Sequence, residues 1–183
     1  GHPFARLTEL PGRPERPEPW LLGSSPQSGI WAAQLGLPYV FADFINPAGA
    51  EIAARYRAEF TPSGGLEAPR AVVAVWAVCA DTDEEARRLA SSAEMMMALL
   101  FRGQLVPVPS VKTALRFLAE QGPAAGLPRA RRAIVGSPDT VREGIEAVAR
   151  EYGADEVMVV SILHDSAERM RSYERIAAAF GLK

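Results

Sequence analysis

The run Ala71 to Ala80, AVVAVWAVCA, restricts the fold of this chain more than any other stretch. It carries no charge and is apolar on both faces of an extended strand, so both faces have to be covered. A parallel strand lying under helices meets that condition. The helix follows at once: in Asp81-Thr82-Asp83-Glu84-Glu85, Thr82 and Glu85 stand at capping-box spacing, and the acidic first turn suits the helix dipole. This helix is expected to run to about Phe101 with Leu89, Met96 and Leu100 buried, and Met95-Met96-Met97 reads as gap-filling core.

The same strand–helix pairing recurs along the chain. Trp20 to Leu22 is a short apolar strand ended by Gly23-Ser24-Ser25. Pro26 then falls at the first helical position with Ser25 as its cap, Ile30, Ala33 and Leu35 as candidate inward residues, and Gly36 as the stop. Leu37 to Ala42 is a second strand, ending in Asp43 and a loop through Asn46. Residues 48–60 are helical with Ile52, Tyr56 and Phe60 on one stripe. After an irregular insertion with a helix over Val111 to Glu120 and a basic cluster at Arg129, Arg131 and Arg132, Ala133-Ile134-Val135 leads into Gly136-Ser137-Pro138. A helix over about Asp139–Tyr152 follows, with Val141, Ile145 and Val148 inward. Glu156 to Ile162 is the fourth long strand. The last helix, about Ser166–Phe180, is expected to point Met170, Tyr173, Ile176 and Ala177 inward, with Arg169, Arg171 and Arg175 on its polar side.

Alternating β and α units imply a parallel sheet with right-handed crossovers, either an open doubly wound sheet or part of a (β/α)₈ barrel. No GxGxxG fingerprint is present for the first. The expectation is therefore α/β, with about four parallel strand–helix units, a half-barrel. Residues 1–18 form an irregular proline-rich lead-in and residues 19–183 the half-barrel itself.

Composition narrows the function classes. With 183 residues and 48% hydrophobic side chains the chain can fill one core. A net charge of −2 without basic blocks argues against nucleic acid. One cysteine, Cys79, and two histidines, His2 and His164, supply neither a disulfide framework nor a zinc motif. No apolar run approaches the roughly 20 residues that span a bilayer, and the polar start does not read as a signal peptide. A cytoplasmic protein without metal or membrane is expected.

A Gly-Ser-Ser turn between a buried strand and a helix start exposes backbone N–H groups and two hydroxyls, which is the geometry that receives a phosphate. A plain helix cap at Ser25 is the competing reading. Other candidates lie at the carboxyl ends of the strands: Asp43 and Asn46 toward a substrate or as loop caps, and His164 as a weak candidate acid or base. Cys79 reads as core. Gly136-Ser137-Pro138 echoes the first turn and reads as a cap or a second anion site.

Four segments together carry a resemblance. WLLGSSPQSGIWAAQLGLPYVFADFINP is similar to the central part of the luciferase-like flavin-dependent monooxygenases. ADTDEEARRLA, VGSPDTVREGIEAVAREYGADEVMVVS and RMRSYERIAAAFGL resemble later segments of that family, in the same order. The resemblance implies a (β/α)₈ TIM-type barrel represented by its carboxyl-terminal half. It implies an oxidoreductase using reduced FMN, or the deazaflavin F420 in some branches, with molecular oxygen on a small organic substrate. It places the flavin phosphate on Gly23, Ser24, Ser25 and the Ser28 hydroxyl, although family members often have a larger polar residue where Ser24 stands. The family's first half, with its usual catalytic histidine, has no counterpart here, so the catalytic residues are unknown and the chain alone is expected to be inactive. A flavin reductase is the implied partner. The half-barrel itself is expected to leave open edges at Trp20 to Leu22 and Val157 to Ser161 and the inward side chains of Val72 to Cys79 without an opposing layer, so a homo-oligomer, most simply a twofold dimer, or the missing amino-terminal half is expected to cover them. The alternative is a non-catalytic half-barrel that binds an anion or another protein.

Overall fold

The computed structural model describes residues 17–121, 132–154 and 156–182. Its elements are β1 (Leu21–Gly23), α1 (Pro26–Leu35), β2 (Tyr39–Ala42), α2 (Ala50–Ala58), β3 (Ala71–Cys79), α3 (Asp83–Leu100), α4 (Val111–Gln121), β4 (Ile134–Gly136), α5 (Pro138–Tyr152), β5 (Glu156–Val160) and α6 (Ser166–Ala179). Of the expected 1–18 lead-in, residues 1–16 with His2 lie outside the described residues, as do Arg129 and Arg131.

Every strand pairing is parallel. Leu22 sits beside Val40 and Val40 beside Val72. Val72 also faces Glu156, so β2 and β5 hold opposite edges of β3. The result is an arc β1-β2-β3-β5. The short β4, which sequence had left as a lead into the Gly-Ser-Pro turn, attaches to the projecting end of β3 at Ala77–Cys79.

The two-sided strand β3 is covered on both faces, as its composition demands. Val73, Val75, Ala77 and Cys79 join Tyr39, Phe41, Tyr56, Val141, Ile145, Val148 and Ile176 in the main core. On the other face, Trp76, Val78 and Ala80 pack with Ala86, Leu89, Ala90 and Ala93 of α3 and with Leu163. Val72 and Ala74 pack with Val40, Trp20 and Phe44. Burying a valine is worth roughly 1.5–3 kcal/mol, so this strand alone anchors much of the fold.

An exposed inward layer on β3 was expected from a half-barrel, and the structure corrects it: Val72 is 3% exposed and Trp76 1%. The edges themselves are open. Among the described residues β1 pairs only with β2 and β5 only with β3, and Leu22 and Met158 on these strands are exposed.

Three helix faces also differ from the expected stripes. The first helix, α1, buries Ser28, Gly29, Ala32 and Ala33, while Leu35 is exposed. Small residues win there because the helices approach closely: a Cβ on Gly29 would lie 2.8 Å from Ile52 Cγ2. In α3 the alanine stripe and Met97 pack inward and Leu100 is exposed. In α6, Ser172 rather than Met170 turns in, because its hydroxyl accepts the Cys79 N–H at 2.9 Å. Among the described residues, no helix is long and apolar enough to cross a membrane.

Candidate functional site

At the carboxyl end of β1, Ser25 caps α1 in extended backbone, accepting the Ser28 N–H at 3.3 Å, with Pro26 at the first helical position. Ser28 completes a capping box. Its hydroxyl donates to the Ser25 carbonyl at 2.7 Å. Because that proton is committed, the Tyr39 hydroxyl is the donor in the 2.8 Å contact between the two side chains. Ser28 Oγ also lies 3.4 Å from the Ser25 N–H. A free Ser28 hydroxyl for a ligand, which the resemblance implied, is therefore corrected: Ser28 is buried and its single donor is engaged within the chain.

Ser24 differs. Its carbonyl accepts from Asn46 Nδ2 at 3.0 Å, but its N–H and hydroxyl have no partner among the described residues, and neither has the Gln27 N–H. The first turn of α1 carries no acidic side chain, so no charge of its own turn offsets the positive end of its dipole. Gly23 is required by close approach: a Cβ there would fall 2.2 Å from Ser28 Oγ.

The echoing turn at Gly136-Ser137-Pro138 has the same parts in a different state. Ser137 caps α5, and Pro138 opens the helix. Asp83, the first residue of α3, places its Oδ1 2.7 Å from the Ser137 N–H and 2.9 Å from the Thr140 hydroxyl. These donors, the Ser137 N–H foremost, hold the Asp83 carboxyl below the usual aspartate range. Here the anion is part of the protein. Sequence reading had Asp83 only as a favourable charge on its own helix; nothing local announces that it reaches a turn 54 residues away.

Asp43 is buried within the fold. It shares the helix-facing side of β2 with Tyr39 and Phe41 and is 1% exposed. Its Oδ1 accepts from Arg132 Nη2 and from the Tyr152 hydroxyl, both at 2.9 Å. Arg132 also pairs with Glu151, and the Tyr152 hydroxyl accepts the Gly49 N–H at 3.1 Å. Burial raises the Asp43 carboxyl, against the hydrogen bond from Tyr152 and the charge of Arg132. This cluster ties the β2–α2 loop to α5 and to the approach of β4. Arg132, part of the basic cluster in the sequence, is its half-buried cation.

His164 follows β5 and is exposed, with Nδ1 2.8 Å from the Val108 carbonyl. A carbonyl only accepts, so Nδ1 carries the proton and Nε2 is the basic nitrogen. Among the described residues no hydrogen bond joins His164 to the Gly23-Ser24-Ser25 turn. Cys79 is core, its thiol pushed up to about 11 by burial.

Comparison with known proteins fits this arrangement. The sequence model described as luciferase-like monooxygenase matches residues 2–156. The protein YwcH of Bacillus subtilis (strain 168) is 38% identical over 98% of this chain and 55% of its own length. A luciferase-like monooxygenase of Escherichia coli (strain K12) is 34% identical over 94% of this chain and 52% of its own. Among solved structures, apo-MsnO8 superimposes with a TM-score of 0.87 at 37% identity, covering 97% of this chain and 55% of that one. The oxygenating constituent of 3,6-diketocamphane monooxygenase from Pseudomonas putida, in complex with FMN, shares the fold at a TM-score of 0.59 and 22% identity. The chain thus spans about half the length of these relatives, and its parallel α/β arc corresponds to about half of their TIM-type barrel. With the family's sequence model matched over most of its length, the chain belongs to the luciferase-like monooxygenase family.

Proposed function

We propose that this chain is the flavin-phosphate-binding part of a monooxygenase that uses reduced FMN and molecular oxygen on a small organic substrate. The observation that carries the reading is that the Ser24 N–H, the Ser24 hydroxyl and the Gln27 N–H have no partner among the described residues, at a helix whose first turn holds no acid, while the Ser25 hydroxyl proton has only a long 3.5 Å contact to Ser28 Oγ. The chain's second turn of the same type binds a carboxylate oxygen through a backbone N–H and a hydroxyl. The donors at the first turn fit a phosphate by the same chemistry: the N–H groups of Ser24 and Gln27 and the hydroxyls of Ser24 and Ser25. Ser28 supports them from behind. FMN is preferred to F420 because a terminal phosphate dianion engages more of these donors than a diester, and FMN occupies the diketocamphane relative. When bound, the flavin supplies the electrons for oxygen activation; this chain's part is to hold the phosphate and close the strand-end face.

Titration of the chain with FMN and with riboflavin, followed by flavin fluorescence, tests this. FMN should bind more tightly than riboflavin, and phosphate-induced shifts should fall on the Ser24, Ser25 and Gln27 amides. Equal affinity for the two flavins, or shifts elsewhere, overturns the assignment.

The rest of the reading follows from the chain spanning about half of its relatives. Catalytic groups come from the other half, so the chain alone, given reduced FMN, consumes no oxygen coupled to substrate turnover. A flavin reductase supplies the reduced cofactor. The open edges of β1 and β5 are where a second copy or the remaining half-barrel joins; a monodisperse monomer by light scattering at micromolar concentration, with no ANS binding, rejects that last point.

A further inference from the structure

We infer that Asn46 is a positioning residue of the phosphate turn, acting through the Ser24 carbonyl; the inference rests on the phosphate reading above. Asn46 stands in the loop after β2, 22 residues from Ser24, yet its Nδ2 donates to Ser24 O at 3.0 Å. Its own Oδ1 accepts the Ala48 N–H at 3.1 Å, which orients the amide so that the donor end faces Ser24.

The effect on the turn follows from peptide planarity. The carbonyl of Ser24 and the N–H of Ser25 belong to one trans peptide and point in opposite directions. Drawing the carbonyl toward Asn46 removes an oxygen lone pair from the face that would receive an anion, where it would repel phosphate. The same rotation turns the Ser25 N–H to the opposite side, toward Ser28 Oγ at 3.4 Å, where it completes the capping box, so the Ser24–Ser25 peptide is held from both sides. Asn46 does not touch the phosphate. It decides which side of one peptide the phosphate meets.

Neighbouring groups do not duplicate the role. Asp43, three residues earlier, faces α5 and is engaged by Arg132 and Tyr152. Pro47 has no N–H, and its carbonyl accepts from Arg132. A backbone rearrangement of the β2–α2 loop is blocked on the far side, because the Gly49 N–H is held by Tyr152. The loop is fixed, and Asn46 transmits that fixity to the turn.

The experiment compares Asn46→Ala, Asn46→Asp and Ser25→Asp with the unmodified chain, using FMN and riboflavin as probes. Loss of one orienting hydrogen bond corresponds to about a five- to tenfold weaker FMN affinity. Asn46→Ala should show that loss for FMN, with riboflavin affinity and melting temperature unchanged. Asn46→Asp keeps the acceptor for Ala48 but sets a carboxylate against the Ser24 carbonyl, so its FMN loss should be larger. In the ligand-free chain, the Ser25 amide resonance should move in both Asn46 variants more than that of Gln27. If Ser25→Asp abolishes the FMN preference while both Asn46 variants bind as the unmodified chain does, the positioning role is wrong and the phosphate site stands. Equal loss of FMN and riboflavin in Asn46→Ala also overturns it, since that marks a general loop defect. If the unmodified chain itself shows no preference for FMN, both readings fall together.

Discussion

The two Gly-Ser-Pro turns of this protein are built alike and differ in what fills them. Each follows a short strand that ends in glycine, caps a helix with serine, opens it with proline and carries a hydroxyl residue at the third helical position. Each glycine is held to that identity by the hydroxyl residue behind it: a Cβ on Gly136 would lie 2.5 Å from Thr140 Cγ2, as one on Gly23 would press on Ser28. At the second turn the Ser137 N–H and the Thr140 hydroxyl donate to the Asp83 carboxylate. At the first, Ser28 faces inward to Tyr39, the first helical turn holds no acid, and the N–H and hydroxyl of the inserted residue, Ser24, have no partner among the described residues. One motif thus serves once to tie α3 to α5 and, in the reading proposed above, once to leave a place for an external anion.

Placing a charge in the first turn should break the contrast most sharply. Ser25→Asp keeps the cap, because aspartate caps as well as serine, but it sets a carboxylate where the phosphate would lie. FMN affinity should fall about 100-fold, corresponding to roughly 3 kcal/mol of repulsion and lost donor capacity, while the melting temperature stays within a degree or two. Unchanged FMN affinity would show that the first turn is only a cap.

Gly23→Ala should come next. Its Cβ cannot fit against Ser28 without displacing the first turn of α1. Overpacking of this kind costs about 1–3 kcal/mol, and urea unfolding of the variant should show it. Free accommodation, with stability and FMN affinity both unchanged, would mean the turn is looser than its geometry indicates.

Emptying the second turn has a smaller effect on stability and a more diagnostic one on ligands. Asp83→Ala leaves the Ser137 N–H and Thr140 hydroxyl without their acceptor, so the melting temperature should fall. Added inorganic phosphate should then stabilise the variant and not the parent. The pH dependence has a definite sign. The Asp83 carboxyl is held below its ordinary range in the fold, so its contribution is complete above the unfolded value, about 3.9, and is lost as pH falls through the lower folded value. In Asp83→Ala that acid-limb loss should be missing. A variant with the parent's acid limb, and no response to phosphate, would remove Asp83 from the comparison.

How much of this was legible in the sequence depends on distance along the chain. The two-sided run at β3, the caps at Ser25, Thr82 and Ser137 and the stop at Gly36 are set by neighbours within a few residues, and the structure shows them in place. Leu35, Leu100 and Met170 stand at helical spacing yet face solvent, because small residues fill the packed faces of α1 and α3 and the bond to Cys79 turns Ser172 inward in α6. The site divides the same way. The turn itself could be read from Gly23, Ser24, Ser25 and Pro26. The inward commitment of Ser28 could not, since it depends on a tyrosine in the next strand. Asn46 and Asp43 were both seen as polar loop residues at a strand end, and only the register of β2 separates them. Asp43 shares the outward side with Phe41, and Asn46 lies beyond the strand, free to cross to Ser24.

The smallest effect should come from the residue that keeps the first turn's hydroxyl occupied. Tyr39 is fully buried, and its hydroxyl donates to Ser28 Oγ. Tyr39→Phe retains the ring, which packs edge-on to Phe41 and against Tyr56, and removes one buried hydrogen bond. The expected loss is about 1 kcal/mol near neutral pH, with FMN affinity within about twofold of the parent because the Ser28 proton still goes to Ser25. Burial raises the Tyr39 hydroxyl above its ordinary range despite the bond to Ser28. Its neutral form therefore stabilises the fold fully below the unfolded value, about 10, and that contribution is lost as pH rises toward the folded value. The stability gap between parent and Tyr39→Phe should accordingly narrow above about pH 10. Urea unfolding of both proteins at neutral and alkaline pH measures this. A gap that stays constant into the alkaline range would place the Tyr39 proton elsewhere than on Ser28. A large loss of FMN affinity would show that Ser28, and not Ser24, is the turn's outward hydroxyl.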